Sequence, residues 1–256
     1  LRKDVLTDGR HANVEFTTNW ELDASRRDFT INAIYADIEG RIYDPLNGIL
    51  DLKKGEIKFI GVPDERIEED YLRILRYFRF YNQYSKEKHN QNTIRSIKKN
   101  INGLNKISNE RIFVELIKIL KNKNFYNLFT ENNSREILLN IFPQFKYYER
   151  LKIINSINTN LRANYDTDLI LSLLLLDGTK DYEYFCHKYS TSNSTKNKFK
   201  NISTNFETIK SKNFYLKENI KKLIYLSNKN YVKELLLFSI FINKKVKSTD
   251  IEELIK

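Results

Sequence analysis

The sequence predicts an α+β fold, a short mixed part followed by a long all-helical one. Three observations carry this. Six of the seven glycines lie at or before Gly103, and Gly178 alone follows. The early segments alternate apolar and polar residues at a period of two, which is the strand period. From about Ile67 the apolar residues recur at intervals of three and four, which is the helix period.

Taken in order, residues 13–18 (NVEFTT) put Val14 and Phe16 on one face of a strand. Residues 33–38, the Glu39-Gly40 pair and residues 41–44 read as a β-hairpin, and residues 56–61 (EIKFIG) as another short strand. Between them, residues 23–33 (DASRRDFTINA) read as a short helix capped by Asp23 or Ser25, with Asp28 three residues after Ser25. Residues 68–80 (EEDYLRILRYFRF) read as one continuous helix with an apolar stripe of Tyr71, Leu72, Leu75 and Phe78. Ile112, Phe113, Leu116, Ile119 and Leu120 repeat that pattern. Further helices are expected at 133–142, 146–157, 166–177, 181–188, 216–227, 230–243 and 249–255. The polar residues 189–205 read as a loop or hinge between helical blocks.

The 256 residues carry a formal charge of +11, which favours a polyanionic partner, nucleic acid first and an anionic membrane second. No apolar run approaches the ~18 residues of a membrane span, and no signal-peptide pattern opens the chain. A single cysteine, Cys186, excludes an internal disulfide and a cysteine-based zinc site, and fits a reducing, cytoplasmic location. Cys186 and His187 are adjacent, so on a helix they point about 100° apart, and Cys186 reads as a buried apolar residue. Methionine is absent and the first residues begin in mid-pattern, so the chain is expected to be an internal piece of a longer protein. Two basic segments are candidates for phosphate contact or for a solvated face. One holds Lys86, Lys88, Arg95, Lys98, Lys99 and Lys106 against a single glutamate; residues 196–222 hold eight lysines against two acids.

The densest chemistry lies at 68–80, where two glutamates and Asp70 precede Arg73, Arg76 and Arg79 at steps of three. On a helix Asp70 and Arg73 share a face. An aspartate only accepts hydrogen bonds and an arginine only donates them, as a planar fork. Such a pair matches the donor-beside-acceptor edges of cytosine and adenine, and clashes with uracil and guanine. A salt bridge within the helix, with a solvated arginine stripe, accounts for the same spacing. Arg26, Arg27 and Asp28 are placed near the start of a short helix, where anions are favoured, and suit a triphosphate and ribose hydroxyls. A capped surface helix is the alternative there.

Together these stretches resemble the class II tRNA nucleotidyltransferase and bacterial poly(A) polymerase family. Residues 1–16 look like its flexible-loop segment, 23–37 like its ribose-selecting motif, 43–61 like the aspartate-and-glycine segment that follows. Residues 68–80 look like its Glu-Asp-x-x-Arg template, and 107–120 like its Glu-Arg motif. The resemblance implies a nucleotidyltransferase-type mixed-sheet head remainder at 1–60, a helical neck at 61–125, and an all-α body and tail at 126–256. It implies that Asp70 and Arg73, supported by Glu69, read the base. Arg26, Arg27 and Asp28 would hold triphosphate and ribose. Asp8, Gly9 and Arg10 fall in the flexible loop, Asp44 and Gly48 in a spring that reshapes the pocket, and Glu110 and Arg111 in a brace for the template helix. The implied partners are a tRNA 3′ end, CTP and ATP, with no membrane and no oligomeric state assigned.

The family's Gly-Gly-x-x-Arg-Asp turn and Asp-x-Asp metal ligands do not occur in this sequence. Mg²⁺ is therefore expected in the complete protein with no ligand here, no catalytic carboxylate is assigned, and the chain alone is expected to be inactive. CCA addition is the favoured implied activity. Poly(A) polymerase, an A-adding enzyme and a non-catalytic RNA-binding fragment are the alternatives. The flexible loop argues against a CC-only enzyme, which in the family lacks it.

Overall fold

The computed structural model describes residues 2–7, 12–16, 18–157, 159–243 and 246–255. The chain forms two compact units, Leu1–Asn124 and Phe125–Lys256.

The first unit is α+β. Strands β1 (Arg2–Thr7) and β2 (Ala12–Phe16) pair antiparallel, with a register shift between Asp4 and Leu6. Helix α1 (Trp20–Ser25) follows, and after it a single 3₁₀ turn, Thr30–Asn32. Strands β3 (Tyr35–Ala36) and β4 (Ile42–Tyr43) form the expected hairpin, with Tyr35 opposite Tyr43 and Gly40 at φ +81° in its turn. Then come α2 (Gly48–Lys54), α3 (Pro63–Glu69), α4 (Arg73–Tyr84), α5 (Gln91–Asn100), a 3₁₀ segment (Ile101–Lys106) and α6 (Asn109–Leu120).

Four sequence expectations are corrected in this unit. The short helix is α1, and its cap is Asn19, whose side chain accepts the Leu22 N–H at 3.1 Å. It ends at Arg26, so Arg26, Arg27 and Asp28 leave its C-terminal end and do not sit at a helix start. The reason is Phe29, fully buried and extended (φ −128°, ψ 148°), which bridges to Phe59 with ring centroids 4.7 Å apart. That same bridge is all that remains of the strand expected at 56–61. Third, the helix expected over 68–80 is two helices. Asp70 is extended between them (φ −152°, ψ 102°), and its Oδ1 accepts the Leu72 N–H at 3.2 Å. A short acceptor side chain that captures a nearby backbone N–H competes with helix continuation. Fourth, α5 occupies the stretch read above only as a basic segment; Asn90 caps it and Ile94 and Ile97 are buried.

The core of this unit gathers Phe29, Phe59, Ile74, Leu75, Tyr77 and Phe78, all nearly or fully buried. Gly48 is a point of close approach: a Cβ there would lie 2.3 Å from the Thr30 carbonyl oxygen. That oxygen belongs to backbone and cannot swing away. Gly48→Ala is expected to destabilise the unit by about 2 kcal/mol through overpacking, read as a lowered melting temperature.

The second unit is all-α: α7 (Asn127–Thr130), α8 (Asn132–Ile141), 3₁₀ turns at Tyr148–Ser156, α9 (Thr159–Arg162), α10 (Thr167–Leu175), α11 (Tyr182–Lys188), α12 (Asn193–Thr204), α13 (Lys217–Leu226), α14 (Lys229–Ile242) and α15 (Ser248–Ile255). The expected helix at 146–157 is thus 3₁₀, and the expected loop at 189–205 is largely α12. Ser192 caps α12 at the Thr195 N–H, and Thr195, Phe199 and Ile202 are buried at helical spacing. Helix α10 is buried from Leu169 to Leu175 and packs against α12 and α14. Arg150 donates to the Leu173 and Leu176 carbonyls at its end, 3.1 and 2.6 Å away. Burial pushes the Arg150 guanidinium down to about 10. Cys186 is buried and burial raises its thiol. Among the described residues no helix is long and apolar enough to cross a membrane.

Candidate functional site

A cleft of about 450 Å³ in the first unit is lined by Arg26, Arg27, Asp28, Asn32, Asp70, Leu72, Arg73, Arg76 and Arg111. Its chemistry is almost wholly ionic. Five guanidinium groups face two carboxylates, and Leu72 is the one apolar side chain.

One wall comes from the segment after α1. Phe29 pins that segment to the core, and the Ile60 N–H donates to the Asp28 carbonyl at 3.1 Å. Asp28 is buried. Its Oδ1 accepts the Phe29 N–H at 3.1 Å and the Asn32 amide at 2.8 Å; its Oδ2 accepts Arg76 Nε at 2.5 Å. Burial pushes this carboxyl up, but the Arg76 hydrogen bond and charge, with Asn32, hold it below its ordinary value. Arg26 and Arg27 are both anchored on Asp23, which is fully buried. Arg27 reaches Asp23 Oδ2 at 3.0 Å and the Asn32 carbonyl at 2.7 Å, with its guanidinium 4.8 Å from the Tyr35 ring centre.

The opposite wall is the break between α3 and α4. Asp70 Oδ2 accepts Arg111 Nη2 of α6 at 3.0 Å. Arg73 does not pair with Asp70. Its Nη1 donates to Glu69 Oε2 and to the Arg66 carbonyl, at 2.6 and 2.7 Å. Among the described residues its Nε and Nη2 carry no hydrogen bond, so they remain available as donors. Arg66 ties the walls together, donating to the Arg27 carbonyl at 2.5 Å and to Glu69 at 2.6 Å. Burial, then the Arg73 charge beside it, lowers the Arg66 pKa.

The cleft therefore brings together Arg26, Arg27, Asp28, Asp70, Arg73 and Arg111, with Glu69 holding Arg73 from outside the lining. Glu110 is exposed and lies outside the lining. Asp44 and Gly48 also stand apart. Asp44 accepts the Gly48 and Ile49 N–H groups at 2.7 and 2.9 Å and caps α2. Helix α2 in turn fixes Thr30, whose hydroxyl donates to Asp51 at 2.7 Å. Asp8, Gly9 and Arg10 lie outside the described residues. Arg95, Lys98 and Lys99 are exposed on α5, with Lys99 3.1 Å from Asp64, and Lys86 and Lys88 are exposed just before it. In the second basic segment, Lys198 is held within the fold by Asp166 and Glu234 at 2.6 and 3.1 Å.

Sequence reasoning missed Asp23, Arg66 and Arg76 as parts of this site. For Asp23 a signal existed: it precedes Arg26 and Arg27 by three and four residues, the spacing of side-chain partners near a helix. Among the described residues no group of three or more His, Cys, Asp or Glu side chains could hold a metal ion. The two carboxylates of the cleft, Asp28 and Asp70, lie on opposite walls among five guanidinium groups, so the lining does not suit Mg²⁺.

Comparison with known proteins gives a consistent picture. Residues 2–58 match the family model described as the poly A polymerase head domain. Residues 90–149 match that of the probable RNA and SrmB-binding site of polymerase A. The CCA-adding enzyme of Staphylococcus epidermidis is 30% identical over 227 residues, covering 89% of this chain and 54% of that protein. The human mitochondrial CCA tRNA nucleotidyltransferase 1 is 53% identical over 122 residues, covering 47% of this chain and 28% of that protein. The crystal structure of the Bacillus stearothermophilus CCA-adding enzyme in complex with CTP superposes with a TM-score of 0.68 at 22% identity. That match covers 94% of this chain and 60% of that one, and it speaks to the fold. The chain spans about half, or less, of the length of these curated relatives. On the two family models, the two curated relatives and the shared fold, the chain belongs to the family of CCA-adding tRNA nucleotidyltransferases and poly(A) polymerases.

Proposed function

We propose that the protein containing this chain adds CCA to tRNA 3′ ends from CTP and ATP, with no nucleic-acid template. The observation that carries the proposal is the cleft, where Asp70 offers an acceptor and Arg73 free donors beside four further arginines. Each oxygen of Asp70 makes one hydrogen bond to the protein, and an ionised carboxylate has about four acceptor positions. Asp70 can therefore still accept the amino group of cytosine or adenine while Arg73 donates to the neighbouring ring acceptor. Uracil and guanine present a carbonyl to Asp70 and are rejected.

Arg26 and Arg27, held by Asp23, suit the triphosphate, and Asp28 suits a ribose hydroxyl. Arg111, alongside Glu110 at the start of α6, braces Asp70. Asp44 and Gly48 set α2 against the turn that follows Asp28. Exposed Arg95, Lys98 and Lys99, with Lys86 and Lys88, suit tRNA phosphates, and the helical unit from residue 126 holds the rest of the tRNA. In the reaction the tRNA 3′-hydroxyl oxygen bonds to the α-phosphorus. The bond from that phosphorus to the β-phosphate oxygen breaks, pyrophosphate leaves, and the hydroxyl proton passes to solvent. Mg²⁺ serves the complete protein from carboxylates outside this chain, and a cytoplasmic location goes with this reading.

The test supplies the full-length protein with Mg²⁺, CTP, ATP and a tRNA ending before its CCA, then sequences the 3′ ends. Addition of CCA followed by a stop is expected. A run of A, or a single A, would move the protein to another branch of the family. No addition with tight tRNA binding would leave a binding module.

A further inference from the structure

We infer that Arg76 sets the sugar selectivity of the cleft, as the positioning residue that aims Asp28 at a ribose hydroxyl. The inference rests on the reading of Asp28 as the ribose contact.

Asp28 is 5% exposed, so any acceptor position it leaves unfilled is costly. Of about four acceptor positions on an ionised carboxylate, the protein fills three. Phe29 N–H and the Asn32 amide take both on Oδ1, and Arg76 Nε takes one on Oδ2. The position left is on Oδ2, the oxygen whose direction Arg76 fixes. Both side chains line the cleft, so that last position is within reach of a bound nucleotide.

Arg76 is itself held. It rises from α4, its guanidinium lies 6.0 Å from the Phe80 ring centre, and Phe80 packs on Phe29 at 5.4 Å. The carboxylate and its clamp are thus fixed to the same aromatic cluster from two sides. Burial alone would drive the Asp28 carboxyl towards its neutral form, and Arg76 is the strongest opposing influence. A ribonucleotide fills the last position with a hydroxyl. A deoxyribonucleotide that lacks this hydroxyl leaves the position empty.

The test titrates the full-length protein with CTP and with dCTP by calorimetry, for wild type, Arg76→Met, Arg76→Lys and Asp28→Ala. One hydrogen bond to a buried charged group should give wild type about a tenfold preference for CTP. Arg76→Met is expected to bring the ratio close to one, and Arg76→Lys, which keeps the charge without the planar Nε donor, to give an intermediate ratio. A purely structural role would weaken both nucleotides together and leave the ratio alone. If Arg76→Met unfolds, Arg76→Lys decides. A wild-type ratio in the arginine variants, with the ratio lost in Asp28→Ala, would overturn the role of Arg76 and keep that of Asp28. A wild-type ratio in Asp28→Ala as well, or no nucleotide binding by wild type, would overturn the ribose reading and the inference with it.

Discussion

Asp70→Ala is expected to abolish the preference for CTP and ATP over UTP and GTP while leaving the protein folded. The lining carboxylates are Asp70 and Asp28, and Asp28 is engaged with Arg76. Without Asp70 the acceptor beside Arg73 is lost, and Arg73 remains as a donor that a uracil or guanine carbonyl can satisfy. The selectivity ratio, measured by 3′ incorporation of each nucleotide, should fall by about a hundredfold. The folding cost is small. The Asp70–Arg111 pair is partly solvated, and the bond from the Leu72 N–H contributes about 1 kcal/mol. Asp70→Asn should behave differently, because its amide can turn a donor into the cleft and admit UTP. A retained CTP and ATP preference in Asp70→Ala would remove Asp70 from base selection.

Glu115→Ala is expected to have the largest effect on stability. Glu115 on α6 is 3% exposed and faces α4. It accepts Lys118 Nζ at 2.7 Å and lies 3.3 Å from Arg79 Nε. Arg79 is a fifth exposed and stacks 4.5 Å from the Phe80 ring centre, so removing its counter-ion strands a largely desolvated cation. Breaking one side of such a pair costs about 3 kcal/mol. Calorimetry should show the loss in the melting of the unit Leu1–Asn124, by more than about 10 °C. Glu115→Gln, which keeps an acceptor, should lose less. An unchanged melting temperature in Glu115→Ala would show that the pair does not hold α4 to α6.

Much of this architecture is legible in the sequence wherever burial imposes a period. The hairpin of Tyr35 and Tyr43 follows from alternation, and α4, α6, α10 and α14 follow from apolar stripes that their packing needs. What escaped reading depends on single side chains acting on backbone. Asp70 breaks a run of good helix formers by capturing the Leu72 N–H, and no periodicity records that. The Ser-, Thr- and Asn-rich composition of α12 hides a stripe of Thr195, Phe199 and Ile202 that was there to be read. In the site, the residue types of the two walls were legible because donors and acceptors must come from Arg and Asp. The pairing was not. Arg73 binds Glu69, Asp70 binds Arg111, and Asp28 binds Arg76, the last pair being separated by 48 positions in sequence.

The most direct test of the central claim is equilibrium binding of the four ribonucleoside triphosphates to this chain, in the absence of tRNA. The account predicts that CTP and ATP bind at least about tenfold more tightly than UTP and GTP, a difference of about 1.4 kcal/mol set by the base edge. Equal affinity for all four would show that the cleft holds triphosphate alone, and would contradict base reading by Asp70 and Arg73.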